Sequence, residues 1–372
     1  MIRICGLSQL ITRKLGLEFY DFSYGFRPGK STHQALEYLW QGIMGNNIHW
    51  IIDLDIRRFF DTMKHETLRD LLRLRVRDGV ITRLIGKWLK AGVLKDGSIN
   101  YRDEGSPQGG TISPLLSNIY LHEVLDKWYT EEVRPRLRGR TVIIRYADDV
   151  VMGFEYHGEA EKVLEQLTGR FRSYGLELHP DKTRLIYYGK PRARARDAGE
   201  SISKGDRGKP GKPSKSSKPS KPGTFDFLGF THYWAKSHKG NWVVRRKTSK
   251  KKFRVKLRKM YEWCRENRHE PVSKQHEKLC QKLKGHYAYY GITGNRRSLE
   301  KFLYQIKRAW KKWLCRRSWK GDRLNWDRYV KLLERYPMPS PKIVHSIYAA
   351  KPYSEEPCAS IALARVCGGA SG

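Results

Sequence analysis

Two adjacent carboxylates, Asp148 and Asp149, sit between the apolar runs Thr141-Val-Ile-Ile-Arg145 and Val150-Val-Met-Gly-Phe154. β-branched residues on both sides of a tight polar centre predict a hairpin with acids at its turn. Adjacent carboxylates repel each other unless a cation lies between them. The pair therefore points to a divalent metal, most simply Mg²⁺ on hard oxygen ligands. A solvated turn is the plain alternative. A second acidic element is Ile51-Ile-Asp-Leu-Asp-Ile-Arg-Arg-Phe-Phe-Asp61. Side chains alternate along a strand. Asp53 and Asp55 then share one face, for solvent or metal, while Ile52, Leu54 and Ile56 share the apolar face. A third element, Gly105-Ser-Pro-Gln-Gly-Gly-Thr-Ile-Ser-Pro114, runs into a predicted helix capped near Ser113. Glycines allow close backbone approach, and a helix start favours anions. Nucleotide or template contact and a structural turn both suit that pattern.

The elements that would position these residues are mixed. Over residues 1–189, strand-like runs (Trp50-Ile-Ile52, Val142-Ile-Ile144, Thr183 to Tyr188) alternate with helical ones (Ser31 to Trp40, Gly158 to Tyr174). The reading is an α+β domain with its acids on the sheet. Residues 190–222 are dominated by Lys, Pro, Ser, Gly and Arg and read as a flexible basic linker. Residues 223–245 return to strand composition around Phe225-Asp-Phe-Leu-Gly-Phe230. From 246 to 348 the chain is helical and basic, and 349–372 is a tail. Leu299, Phe302, Leu303, Ile306, Trp310 and Trp313 follow helical spacing as a core stripe. Phe253 to Cys264, Leu279 to Tyr287 and Trp326 to Leu333 repeat the pattern. Lys307, Arg308, Lys311, Lys312, Arg316 and Arg317 occupy the outer face of the third helix, with no acid from Lys301 to Lys320 to neutralise them.

Bulk composition agrees. The 372 residues carry 74 Lys plus Arg against 38 Asp plus Glu, a net charge of +36. Such a charge calls for a polyanion, and 12% aromatic content favours nucleic acid over a membrane surface. The six cysteines form no Cys-x-x-Cys pair, so a zinc ribbon is not expected, and a reducing cytoplasm is the expected location. No apolar run is long enough to span a bilayer.

Taken in order, these motifs resemble the palm of a reverse transcriptase. Asp-Leu-Asp-Ile-Arg-Arg-Phe-Phe-Asp61, Ser106-Pro-Gln-Gly-Gly-Thr-Ile-Ser-Pro114 and Tyr146-Ala-Asp-Asp149 resemble its metal, nucleotide-helix and catalytic-hairpin motifs. Gly175-Leu-Glu-Leu-His-Pro-Asp-Lys-Thr183 and Phe225-Asp-Phe-Leu-Gly-Phe230 resemble the next two. Ser23-Tyr-Gly-Phe-Arg-Pro-Gly-Lys30 is characteristic of the group II intron-encoded branch, and Lys278 to Tyr348 resembles its thumb and maturase region.

The resemblance implies a right-hand polymerase: an antiparallel palm with partial fingers, then an all-α thumb and maturase domain. It implies that Asp55, Asp148 and Asp149, with the Ile56 backbone, hold two Mg²⁺ ions, Asp53 standing behind Asp55. Phe60 would pack against the incoming sugar, and Gln108, Gly109, Ala147 and Lys182 would line the nucleotide site. Arg27 and the six outer cations would touch nucleic acid, while Asp61 and His65 would be structural. The implied partners are intron RNA, an RNA template, a DNA primer and deoxynucleoside triphosphates. Such proteins carry a finger region before the Ser23 motif, where this chain has only about twenty residues. Truncation of the substrate clamp is therefore expected, as is the lack of a His/Cys-rich endonuclease. The competing expectation is a relic that binds RNA without polymerising.

Overall fold

The computed structural model describes residues 19–73, 79–90, 93–95, 98–100, 113–191, 222–318 and 324–346. Gln108, Gly109, residues 192–221 of the expected linker and the 349–372 tail lie outside the described residues. In chain order the palm half contains α1 (Thr32–Gly45), β1 (Trp50–Leu54), α2 (Phe59–Thr62), α3 (His65–Arg73), α4 (Gly79–Lys90), β2 (Val93–Lys95), β3 (Ser98–Asn100) and α5 (Ser113–Leu121). A π-helical stretch, His122–Val133, continues α5 and leads to β4 (Thr141–Tyr146), β5 (Asp149–Phe154), α6 (His157–Ser173) and β6 (Arg184–Tyr187). The second half contains β7 (Phe225–Phe227), β8 (Phe230–Lys236), β9 (Trp242–Thr248), α7 (Lys250–Glu266), α8 (Val272–Tyr290), α9 (Arg296–Cys315) and α10 (Trp326–Arg335).

Helix α1 begins where its capping residues dictate. Ser31 Oγ accepts from the Gln34 backbone N–H at 3.2 Å, and the Gln34 side chain accepts from the Ser31 N–H at 2.7 Å. This reciprocal capping box satisfies two N–H groups that the first turn leaves unpaired. Ala35, Leu36, Leu39 and Ile43 form the buried stripe, which carries the helix past Trp40 to Gly45.

The palm sheet is antiparallel, in the order β4-β5-β1-β6. Alternation sends Ile52, Leu54, Ile143, Val150 and Met152 into one core with Leu116, Val124 and Leu167 of the flanking helices. It sends Ile51, Val142, Ile144 and Val151 into a second core with Leu36, Phe230, Leu283 and Trp310. The expected acidic face is therefore not an open face. Ile51, on the same side as Asp53, is fully buried, and only the strand end carries the acids.

The second sheet is antiparallel, in the order β7-β8-β9. Residues 225–234, expected to be of strand composition, fold as a hairpin, because Leu228 and Gly229 take left-handed φ values of 49° and 81° at its turn. Helix α9 buries Leu299, Phe302, Ile306, Trp310 and Leu314, and its Trp310 Nε1 donates to Gln275 Oε1 at 2.9 Å. Leu303 and Trp313 are half-buried. Helix α10 departs further from its expected stripe: Tyr329 is buried, but Trp326 and Val330 are 54% and 50% exposed. Among the described residues, no helix is long and apolar enough to cross a membrane.

Candidate active site

Sheet register brings the acids together. Strand β1 pairs with β5 so that Asp53 faces Val151 and Leu54 faces Val150. Continued by one residue, the same ladder sets Asp55 opposite Asp149, and facing residues share a side. Tyr146 pairs with Asp149 across the β4–β5 turn, leaving Ala147 and Asp148 as its two central residues. Ala147 holds φ at 58°, a left-handed conformation costing a non-glycine residue on the order of 1 kcal/mol.

Burial, and then the Asp55 charge, push the Asp148 carboxyl up. Burial, then Asp148 and Asp55, push Asp149 up to about 6, with Lys252 pulling against them. Asp149 is exposed at a cavity mouth, so water screens part of that repulsion. Asp148 and Asp149, each pushed up in part by the Asp55 charge, form with it a hard-oxygen donor set suited to a divalent cation. Among the described residues, no three acids or histidines already form a closed metal cluster. Internal cations occupy part of the acidic end instead. Lys182 Nζ donates to Asp55 Oδ2, and Arg184 Nη2 donates to Asp53 Oδ2, each at 3.0 Å. Burial raises the Asp53 carboxyl, and Arg184 opposes that rise.

The strained turn is braced from below by Arg145, a fully buried guanidinium on β4. Its Nε donates to Asp126 Oδ1 at 2.8 Å, and its Nη1 donates to Asn118 Oδ1 at 2.8 Å and to Ala147 O at 3.2 Å. Asn118 Nδ2 in turn donates to Gly25 O at 2.7 Å. Burial would raise the Asp126 carboxyl, but Arg145 and His122 outweigh it and hold the group below its ordinary range. Ser23 bridges to Arg145 in parallel, so the Ser-Tyr-Gly motif lies along the β4 edge. A Cβ on Gly25 would stand 2.3 Å from Ala147 N, hence the glycine. Sequence reasoning missed Asn118, Asp126 and Arg145. The available signal was a charge inside the apolar run Val-Ile-Ile-Arg145 and another among the apolar residues around Asp126.

Other expected residues are scattered. Ile56 is buried and bridges to Leu178. Ala147 is buried in the turn, and Phe60 lies on α2. Arg27 is directed inward: its Nη1 donates to Tyr20 O and Ser23 O, both at 2.7 Å, and its guanidinium lies over Phe19. Along α9, Arg308, Lys311, Lys312 and Arg316 sit over Tyr304, Trp326, Tyr261 and Trp313 respectively. Those rings hold the cationic heads on the outer surface of the bundle. The cations that border the acids are different ones. Asp149 opens into a cavity of about 660 Å³ walled by Lys252, Lys256 and Lys259 of α7, Lys282 and His286 of α8, and the Leu228-Gly229 turn. The α7 lysines recur at i, i+4 and i+7, a spacing visible in the sequence.

An antiparallel sheet with acids at one end, backed by helices and followed by a helical bundle, is the palm and thumb of a right-hand polymerase fold. A profile of the family described as "Reverse transcriptase (RNA-dependent DNA polymerase)" matches residues 7–232. The chain belongs to that family. Group II intron-encoded protein LtrA of Lactococcus lactis subsp. cremoris is 44% identical over 110 residues, which are 30% of this chain and 18% of that protein. Protein YkfC of Escherichia coli (strain K12) is 33% identical over 198 residues, covering 45% of this chain and 52% of that protein. The chain thus matches between 18% and 52% of the length of these two relatives. Apo telomerase from Candida tropicalis superposes with a TM-score of 0.45 at 15% identity, covering 90% of this chain and 53% of that one.

Two outcomes follow for variants of this site. Asp126→Ala leaves Arg145 charged and buried without its partner, and should cost about 3–5 kcal/mol in denaturant melts. An apolar pair, Asp126→Leu with Arg145→Met, should recover much of that stability while leaving the Ala147 turn unbraced. Titration of Mn²⁺ binding by electron paramagnetic resonance should separate the two effects. The second outcome concerns pH. The Asp149 carboxyl is raised above its unfolded value, so its deprotonation destabilises the fold as pH rises from about 4 through about 6. Asp149→Asn should therefore raise the melting midpoint at pH 7.5, by about 1–2 °C for each kcal/mol relieved. It should leave the midpoint little changed at pH 4, and in the parent chain Mn²⁺ affinity should fall as pH drops below about 6.

Proposed function

We propose that this chain is the RNA-directed DNA polymerase of a group II intron, and that its helical C-terminal part binds intron RNA as a maturase. The observation that carries this reading is the acidic end of the palm sheet, which opens directly into a lysine-walled cavity. Asp55, Asp148 and Asp149 would hold two Mg²⁺ ions, which when bound supply activation of a primer 3′-hydroxyl and stabilisation of charge on the departing pyrophosphate. The remaining work falls to the chain. The Arg145 brace fixes the turn that presents Asp148 and Asp149. Lys252, Lys256, Lys259 and Lys282 hold the phosphates of a primer–template duplex beside Asp149. Lys182, already against Asp55, lies within reach of a triphosphate there. Phe60 and the Gln108–Gly109 motif take the sugar and base by resemblance to the family.

A binding-only role is favoured by one observation. Asp53 and Asp55 are paired with Arg184 and Lys182 inside the chain. Primer extension on an RNA template with Mg²⁺ decides between the readings. The polymerase reading expects extension that Asp148→Ala reduces at least about a hundredfold, as loss of a metal-stabilised transition state would. It also expects Lys256→Glu with Lys259→Glu to raise the KM for primer–template more than it lowers kcat. RNA binding without any incorporation would leave the binding-only role.

A further inference from the structure

A second cavity, about 640 Å³, lies between α3 and α4. Helix α3 lines it with His65, Arg69 and Arg73, at i, i+4 and i+8. Helix α4 lines it with Thr82, Arg83 and Lys87, and with Gly79 and Gly86. A Cβ on either glycine would meet nothing within 4 Å, so the space above them is open. The opposite sides of both helices are anchored, since Leu68, Leu71, Leu72 and Ile85 are buried in the first core. The walls of this cleft are therefore fixed by packing on the side away from it.

Its charge is poorly answered from within. Arg73 pairs with Asp70 at 3.2 Å, but both side chains are largely exposed and such a pair is weak. Among the described residues, Arg83 donates to the Gly79 carbonyl, at 3.1 Å, and to no carboxylate. Among the described residues, Arg69 and Lys87 have no ion pair or hydrogen bond. Four like charges in one cleft repel one another unless an anion enters. They recur about a helical turn apart, roughly 5–6 Å between neighbours, so they suit a row of phosphates better than one. Val80 and Leu84, 65% and 37% exposed, add apolar surface on α4 against which sugars and bases can lie. The cleft is also separate from the acids. Its helices pack into the first core, whereas the lysine cavity at Asp149 belongs to helices packed in the second core, across the palm sheet.

We infer that the α3–α4 cleft is a second polyanion site that grips the phosphodiester backbone of a structured RNA while the duplex being copied occupies the acidic end of the sheet. The choice of RNA rests on the polymerase reading above. The test measures binding without metal or deoxynucleotides. Two variants are compared with the parent chain across a salt series: Arg69→Gln with Arg83→Gln and Lys87→Gln, which removes charge, and Gly86→Leu, which fills the cleft and leaves the charge. Both should weaken binding of a structured RNA at least about tenfold at 0.1 M salt. The charge variant should also reduce the slope of log K against log salt by about 2–3. Binding and extension of a short primer–template duplex should stay within about twofold of the parent in both, with unchanged melting midpoints. Parent-like RNA affinity in both variants overturns the cleft while leaving the polymerase reading intact. Loss in the charge variant but not in Gly86→Leu overturns it too, assigning the effect to general surface charge. Loss of ATP or pyrophosphate binding with RNA affinity unchanged overturns the RNA assignment in favour of a small phosphate ligand. A parent chain that binds no RNA removes both readings together.

Discussion

The buried ion pair between Arg145 and Asp126 is the constraint on which the site depends. Desolvating both charges is expensive, and such a pair survives only when geometry and further hydrogen bonds repay it. Here the guanidinium fork is filled by Asp126, Asn118 and the Ala147 carbonyl, so each bond that satisfies the charge also fixes a different segment. Asn118 belongs to the helix that follows the Gly-Gly motif, Asp126 to its π-helical continuation, and Gly25 to the segment along the β4 edge. Segments far apart in sequence are thereby referenced to one buried cation. The left-handed Ala147 persists because its surroundings over-determine it, which is how backbone strain is retained at functional positions.

The acidic end of the sheet works in the opposite sense. There the fold assembles charges that oppose one another and leaves the tension partly unresolved, with Lys182, Arg184 and Lys252 as incomplete counterweights. A site of this kind lowers stability locally, and on the proposed polymerase reading that tension is what a cation and its phosphate cargo would relieve. The surrounding double core makes that tolerable, because Ile51, Ile52, Leu54 and Val151 are all buried within a few residues of the acids.

Local rules carried much of the fold. Ser31 and Gln34 announce a helix start, the alternation around Asp53 announces a strand, and the stripe from Leu299 to Trp310 announces a buried helical face. Each depends on neighbours in sequence, so each is visible there. What escaped depended on distant partners. The acidic strand looked half-exposed because nothing local shows that the thumb side covers Ile51. The strand composition around Phe225 gave no sign of the Leu228-Gly229 turn, because both of its flanks are aromatic. Arg27 read as a nucleic-acid contact, yet its guanidinium is directed at carbonyls of its own loop. The α9 cations drew attention by their acid-free run, whereas the lysines beside Asp149 come from a helix whose orientation only the tertiary structure supplies.

Burial of one sheet on both faces also bears on how the chain is made. Strand β1 precedes its ladder partners β5 and β6, which begin at Asp149 and Arg184, and its second face lies in a core that includes residues as late as Trp310. Contacts of such sequence separation slow folding and prolong exposure of apolar surface. During synthesis Trp50 to Leu54 stays without its ladder partners until Asp149 to Tyr187 have followed it. The palm and the helical half therefore mature together, and chaperone assistance would act most strongly in the interval before the last helices arrive.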